Sequence, residues 1–114
     1  MAKQLLLERN WCSQLVSLTR VARGGRTKSM PGNLEEIGER SALVLTDSPI
    51  ANETKVAIAC SDHVLTGVTK SCTHDHTLGY FIEVQFTRAS NWSPHWFLPR
   101  HLVWLSKTRL RFSA

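Results

Sequence analysis

The chain is poor in everything that would stabilise a fold other than a hydrophobic core. Its 114 residues hold only 3 Cys, 6 Gly and 4 Pro. Cys12, Cys60 and Cys72 are odd in number and widely spaced, a set that does not resemble a disulfide framework. No long apolar run approaches the roughly eighteen residues that span a bilayer. Leu5-Leu6-Leu7 stops at once on Glu8 and Arg9, so no secretory pattern is present and a cytoplasmic location is expected. Acids are also scarce: 9 Asp plus Glu stand against 14 Lys plus Arg, a formal net charge of +5. That balance admits anionic partners and identifies none. The length excludes a TIM barrel and fits one domain over residues 1–114, large enough to bury a core of its own.

What is present reads as short strands. Lys55 to Cys60 alternates, with Val56, Ile58 and Cys60 on one face. Tyr80 to Thr87 alternates more cleanly, setting Tyr80, Ile82, Val84 and Phe86 against Phe81, Glu83, Gln85 and Thr87. A period of two marks a half-buried strand. Ser13–Arg20, Ala42–Thr46 and Val64–Cys72 are apolar and β-branched enough to join them. Turn chemistry falls between these runs at Gly24-Gly25, Met30-Pro31-Gly32, Asp47-Ser48-Pro49 and Ser61-Asp62-His63, with a polar loop expected over Thr73–Leu78. Connections this short favour antiparallel pairing over crossover helices, and closure into a barrel would remove exposed edges. Pro99 can occupy the first turn of a short helix over Arg100–Lys107; a strand at Leu102–Leu105 is the competing reading.

The order of elements resembles a PilZ domain, the bacterial cyclic-di-GMP receptor module. The strings that carry the likeness are Asn33-Leu34-Glu35-Glu36-Ile37, Ser41-Ala42-Leu43-Val44, Gly67-Val68 leading to Cys72, and Gly79-Tyr80-Phe81-Ile82-Glu83-Val84-Gln85-Phe86. The resemblance spans about residues 8–105. It implies an all-β fold: a six-stranded antiparallel barrel over about 12–88, with a C-terminal segment over about 91–114 that carries a short helix. The family grips its nucleotide through Arg-x-x-x-Arg before the first strand and a later Asp/Asn-x-Ser-x-x-Gly. Arg9 matches the second arginine, while Leu5 stands at the first. Glu36 stands for the acid, Gly38 for the serine and Ser41 for the glycine. Leucine cannot fork onto a phosphate or stack on a purine as arginine does. Glu35, Glu36 and Glu39 add negative charge beside a doubly anionic ligand.

The resemblance therefore implies a non-catalytic bacterial regulatory adaptor whose cyclic-di-GMP binding is weakened or lost and whose partner is a protein. The alternative is a working receptor. In it Arg9 and the Arg20–Lys28 run, which lacks any acid, hold the phosphates, so Arg9, Arg20, Arg23, Glu36 and Arg40 are the candidate contacts. Trp92 and Trp96 are the candidate interface anchors, because aromatics concentrate in hot spots; a core or barrel-lid role is the competing reading. No cofactor or metal is expected. Cys60, His63, Cys72, His74 and His76 form the densest ligand set but lack finger spacing. No nucleophile elbow or phosphate loop points to an enzyme. Neighbouring Glu35 and Glu36 would face opposite ways in a regular strand, which argues against a paired acid/base device. No ribonucleoprotein-type aromatic pattern points to nucleic acid.

Overall fold

A computed structural model describes residues 9–88, 90–93, 96 and 98–102. Six strands follow one another: β1 (Asn10–Val21), β2 (Thr27–Ile37), β3 (Ser41–Thr46), β4 (Lys55–Cys60), β5 (His63–Asp75) and β6 (Gly79–Phe86). They close into a barrel in the order β1-β2-β3-β6-β5-β4, with every neighbouring pair antiparallel. The alternation expected for β4 and β6 is the one observed: Val56, Ile58 and Cys60 turn inward, as do Ile82, Val84 and Phe86. Leu18, Leu34, Ile37, Val44 and Leu65 complete a core of almost fully buried side chains.

Two strand limits differ from the sequence reading. β2 runs straight through Met30-Pro31-Gly32, which looked like a break. Proline is tolerated where its missing N–H faces away from the ladder, and Pro31 lies opposite Ser17 of β1 beyond the reach of β3. β5 continues to Asp75, so the polar loop shrinks to Asp75–Gly79. There the Asp75 carboxylate accepts the Thr77 and Leu78 N–H groups at 2.9 Å each. These two bonds, that of Leu78 first, hold its carboxyl below the usual range.

The expected C-terminal helix is not found. The only helical turn among the described residues is the short 3₁₀ piece Arg23–Gly25 at the β1–β2 hairpin. The backbone of Arg100 is engaged by β1 instead. Its carbonyl accepts the Ser13 N–H at 2.9 Å, and its N–H donates to Gln14 Oε1 at 3.1 Å. His101 takes φ 58°, which a right-handed helix forbids. Residues 103–107 of the expected helix lie outside the described residues, as does Trp104.

The segment after β6 instead crosses one end of the barrel. Thr87 donates to the Thr66 carbonyl of β5 at 3.0 Å. The Ser90 hydroxyl stands 3.0 Å from the Thr66 amide, and the Trp92 N–H donates to the Glu39 carbonyl between β2 and β3 at 3.1 Å. Trp96 sets its ring edge-on to His63, at the β4–β5 turn, with centroids 4.8 Å apart. Trp92, only 4% exposed, joins Phe86, Ile37, Cys12 and Cys60 in the core at this lid end. At the opposite end Ile50 plugs the barrel. Its loop is pinned by buried Thr69, whose hydroxyl donates to the Ala51 carbonyl at 2.7 Å and accepts the Thr54 N–H at 3.0 Å.

Candidate functional site

Three β-bulges fall along one level of the barrel: between Trp11 and Gln14 in β1, between Leu34 and Glu36 in β2, and between Thr69 and Ser71 in β5. A bulge adds one residue to a strand and so resets which side chains face outward. Strict alternation from buried Leu34 would aim Glu36 into the core. The extra residue aims it out, while Ile37 returns inside at 0% exposure. Glu35 also faces out, bonded to the Asn33 side-chain amide. The expectation that the two glutamates oppose each other is thereby corrected, although each carboxylate is already engaged by a different neighbour.

The register lines up an outward row across five strands: Trp11, Glu36, Leu43, Glu83 and Ser71. Arg9, one residue before β1, lies over this row with its side chain 14% exposed. Its Nε donates to Glu36 Oε1 at 3.1 Å and its Nη1 to Glu83 Oε2 at 2.9 Å. Nη1 also reaches the Ser41 hydroxyl at 3.4 Å, and Ser71 Oγ donates to Glu83 Oε1 at 3.3 Å. One cation between two carboxylates leaves a net charge of −1, before nearby Glu35 and Glu39 are counted. A guanidinium already forked onto two carboxylates must give up charge-assisted bonds to grip anything else.

Arg9, Glu36 and Ser41 thus meet in space, although Glu36 is 27 residues and Ser41 is 32 residues from Arg9 in sequence. Gly38 and Ser41 close the turn between β2 and β3, the Gly38 N–H donating to the Ser41 carbonyl at 2.8 Å. Arg40 sits in that turn, its carbonyl accepting the Phe86 N–H at 2.8 Å. Leu5 lies outside the described residues. Glu83 and Ser71 were not foreseen as members of the cluster. Alternation put Glu83 outward, but nothing local pairs it with an arginine 74 residues away.

Arg20 belongs elsewhere. It lies eleven residue steps beyond Arg9, roughly 35 Å along β1. Arg23 opens the 3₁₀ turn beyond it, and its side chain lies outside the described residues. A single dinucleotide cannot touch both Arg9 and the arm, so the five candidate contacts split into two places. Trp92 is a core residue, which corrects its choice as an interface anchor and agrees with the lid reading. Trp96 remains 42% exposed, next to exposed Leu98.

The potential metal ligands are also divided. Cys60 pairs with His63 at one end of β5, whereas Cys72 and His74 lie toward its other end, about 30 Å away at strand rise. His74 stacks on Tyr80 at 4.6 Å and meets His76 edge-on at 5.2 Å. Among the described residues no group of three or more such side chains converges on one point. Burial pushes the Cys12 thiol up to about 12, with Cys60, Glu35 and Glu36 adding to the shift, and burial raises Cys60 as well. The unfolded chain ionises Cys12 near 9.0 while the folded chain keeps it protonated to about 12. Between those values the unfolded state binds fewer protons, so stability falls as pH rises. Wild type is expected to lose more stability across that window than Cys12→Ala, compared by denaturant midpoints. Equal losses would show that Cys12 is not shielded.

Comparison with known proteins adds no further constraint. No family model, curated protein or solved structure matches this chain. No helix among the described residues is long and apolar enough to cross a membrane.

Proposed function

We propose that the chain is a non-catalytic bacterial regulatory adaptor of PilZ type, acting in the cytoplasm through a protein partner, with its dinucleotide site closed by its own side chains. One observation carries this reading: the Arg9 guanidinium is bonded to both Glu36 and Glu83. In a working site of this kind an arginine would face a phosphate. Here a doubly charged ligand would have to displace two carboxylates and then sit beside them. Each charge-assisted bond is worth about 1.5–3 kcal/mol, so forfeiting even one weakens binding by roughly 10- to 150-fold. The six-stranded antiparallel barrel is compatible with the reading, though many unrelated activities share small barrels.

A second reading keeps the receptor function, favoured by the meeting of Arg9, Glu36 and Ser41 at the β2–β3 turn. Isothermal titration of the purified chain with cyclic-di-GMP separates the two. No saturable heat is expected. Saturable uptake of one or two nucleotides per chain at about micromolar affinity or tighter would favour the receptor and defeat the closed-site proposal.

A further inference from the structure

The β1–β2 hairpin rises beyond the barrel as an arm. β3 pairs with β2 only from Gly32, opposite Thr46, so Thr27–Pro31 has β1 on one side and no described strand on the other. A strand edge of this kind presents main-chain donors and acceptors in a row, ready to pair with another chain. The ribbon itself is well ordered by pairing: Thr19 and Ser29 share a hydroxyl bond at 2.7 Å, and the Ala22 N–H donates to the Arg26 carbonyl at 2.6 Å. At the tip, Gly24 and Gly25 have open space where a Cβ would point.

One face of the arm is cationic. Alternation from Leu18 and Met30 places Arg20, Lys28 and Arg26 on the same side, and Arg20 lies directly opposite Lys28. Like charges directly opposite each other destabilise a ribbon. No acid relieves them locally, because residues 9–34 contain neither Asp nor Glu. Arg20 Nε is buried without a hydrogen-bond partner among the described residues. On the adjoining elements, Glu53 is taken by Lys70 at 3.1 Å, and exposed Asp47 follows Thr46 at the foot of the arm.

We propose that the Thr27–Pro31 edge docks an extended acidic segment of a partner protein as an added strand, with carboxylates at alternate positions against Arg26 and Lys28. The class of partner rests on the adaptor reading above; the site does not involve Arg9. An added strand uses the unpaired main chain for affinity and the cations for sign and register. A second copy would set like charge against like charge on this edge, since Arg26 and Lys28 would meet their own kind. The chain's own residues 103–114 carry Lys107, Arg109 and Arg111 with no acid, so their charge is wrong for the edge. The arm from Arg20 to Pro31 has no aromatic residue on which a nucleic-acid base could stack.

The test uses the full chain and a fluorescent peptide alternating glutamate and valine, followed by anisotropy. Saturable binding is expected, and N-methylation at alternate peptide nitrogens should abolish it. The exposed-site double substitution Arg26→Glu plus Lys28→Glu, with its fold checked by circular dichroism, should weaken binding on the order of tenfold. The same variant should gain binding to a lysine–valine peptide. Absence of binding, undiminished binding of the N-methylated peptide, or tighter binding of a single-stranded oligothymidine would each overturn the proposal. Such a failure leaves the cyclic-di-GMP titration unaffected, because Arg26 and Lys28 are at the opposite end of β1 from Arg9.

Discussion

Trp92→Ala is expected to destabilise the protein by about 3–5 kcal/mol, whereas Trp96→Ala should cost less than about 1 kcal/mol. Trp92 is 4% exposed and closes the lid end, where the strand termini leave the core uncovered. Removing the indole leaves a cavity that the backbone cannot fill, because the segment is tied down on either side. The Trp92 N–H is fixed to Glu39 and the Arg100 main chain to β1. Trp96 already has much of its ring in water and touches His63 by an edge. Urea midpoints of the two variants measure the difference directly. If Trp92→Ala were nearly neutral, the segment would be decoration on a barrel that closes without it.

Arg9→Ala should cost about 3 kcal/mol, at the lower end of the range for breaking a buried charge pair because the carboxylates retain some water. Glu36 and Glu83, with side chains 27% and 26% exposed, would be left facing each other without their shared cation. Adding Glu36→Gln and Glu83→Gln to the Arg9→Ala background should recover part of that loss by removing the repulsion. The pair of glutamine changes alone should free Arg9 and raise affinity for an anion such as inorganic pyrophosphate by about tenfold. Stability by denaturation and binding by calorimetry check the two limbs separately. If Arg9→Ala were neutral, the ion cluster would contribute nothing to the fold; if the glutamine pair left anion affinity unchanged, the carboxylates would not be what closes the site.

The barrel was legible because its strands announce themselves by alternation. Ile82 and Val84 in β6, and Val56 and Ile58 in β4, turn inward as their spacing requires. β2 was harder to read, since Pro31-Gly32 resembles a turn unless one knows that β3 has ended and that the proline lies at an edge. The ion cluster was half legible. Arg9 and Glu36 could be singled out by resemblance, but the outward aim of Glu36 depends on a bulge, and Glu83 joins only through the β3–β6 pairing. The C-terminal helix failed for a tertiary reason. Pro99 is a good helix starter, but β1 takes the Arg100 carbonyl that a first turn would use as an acceptor, and His101 turns to a positive φ.

The Arg9 Nε–H resonance, followed by nuclear magnetic resonance while cyclic-di-GMP is added, reports most directly on whether the site is closed. The expected result is a resonance that stays in place throughout, held by Glu36. A saturating shift of that resonance, matched by changes at the Gly38 and Ser41 amides, would mean that phosphate displaces the carboxylates, and would contradict the closed site.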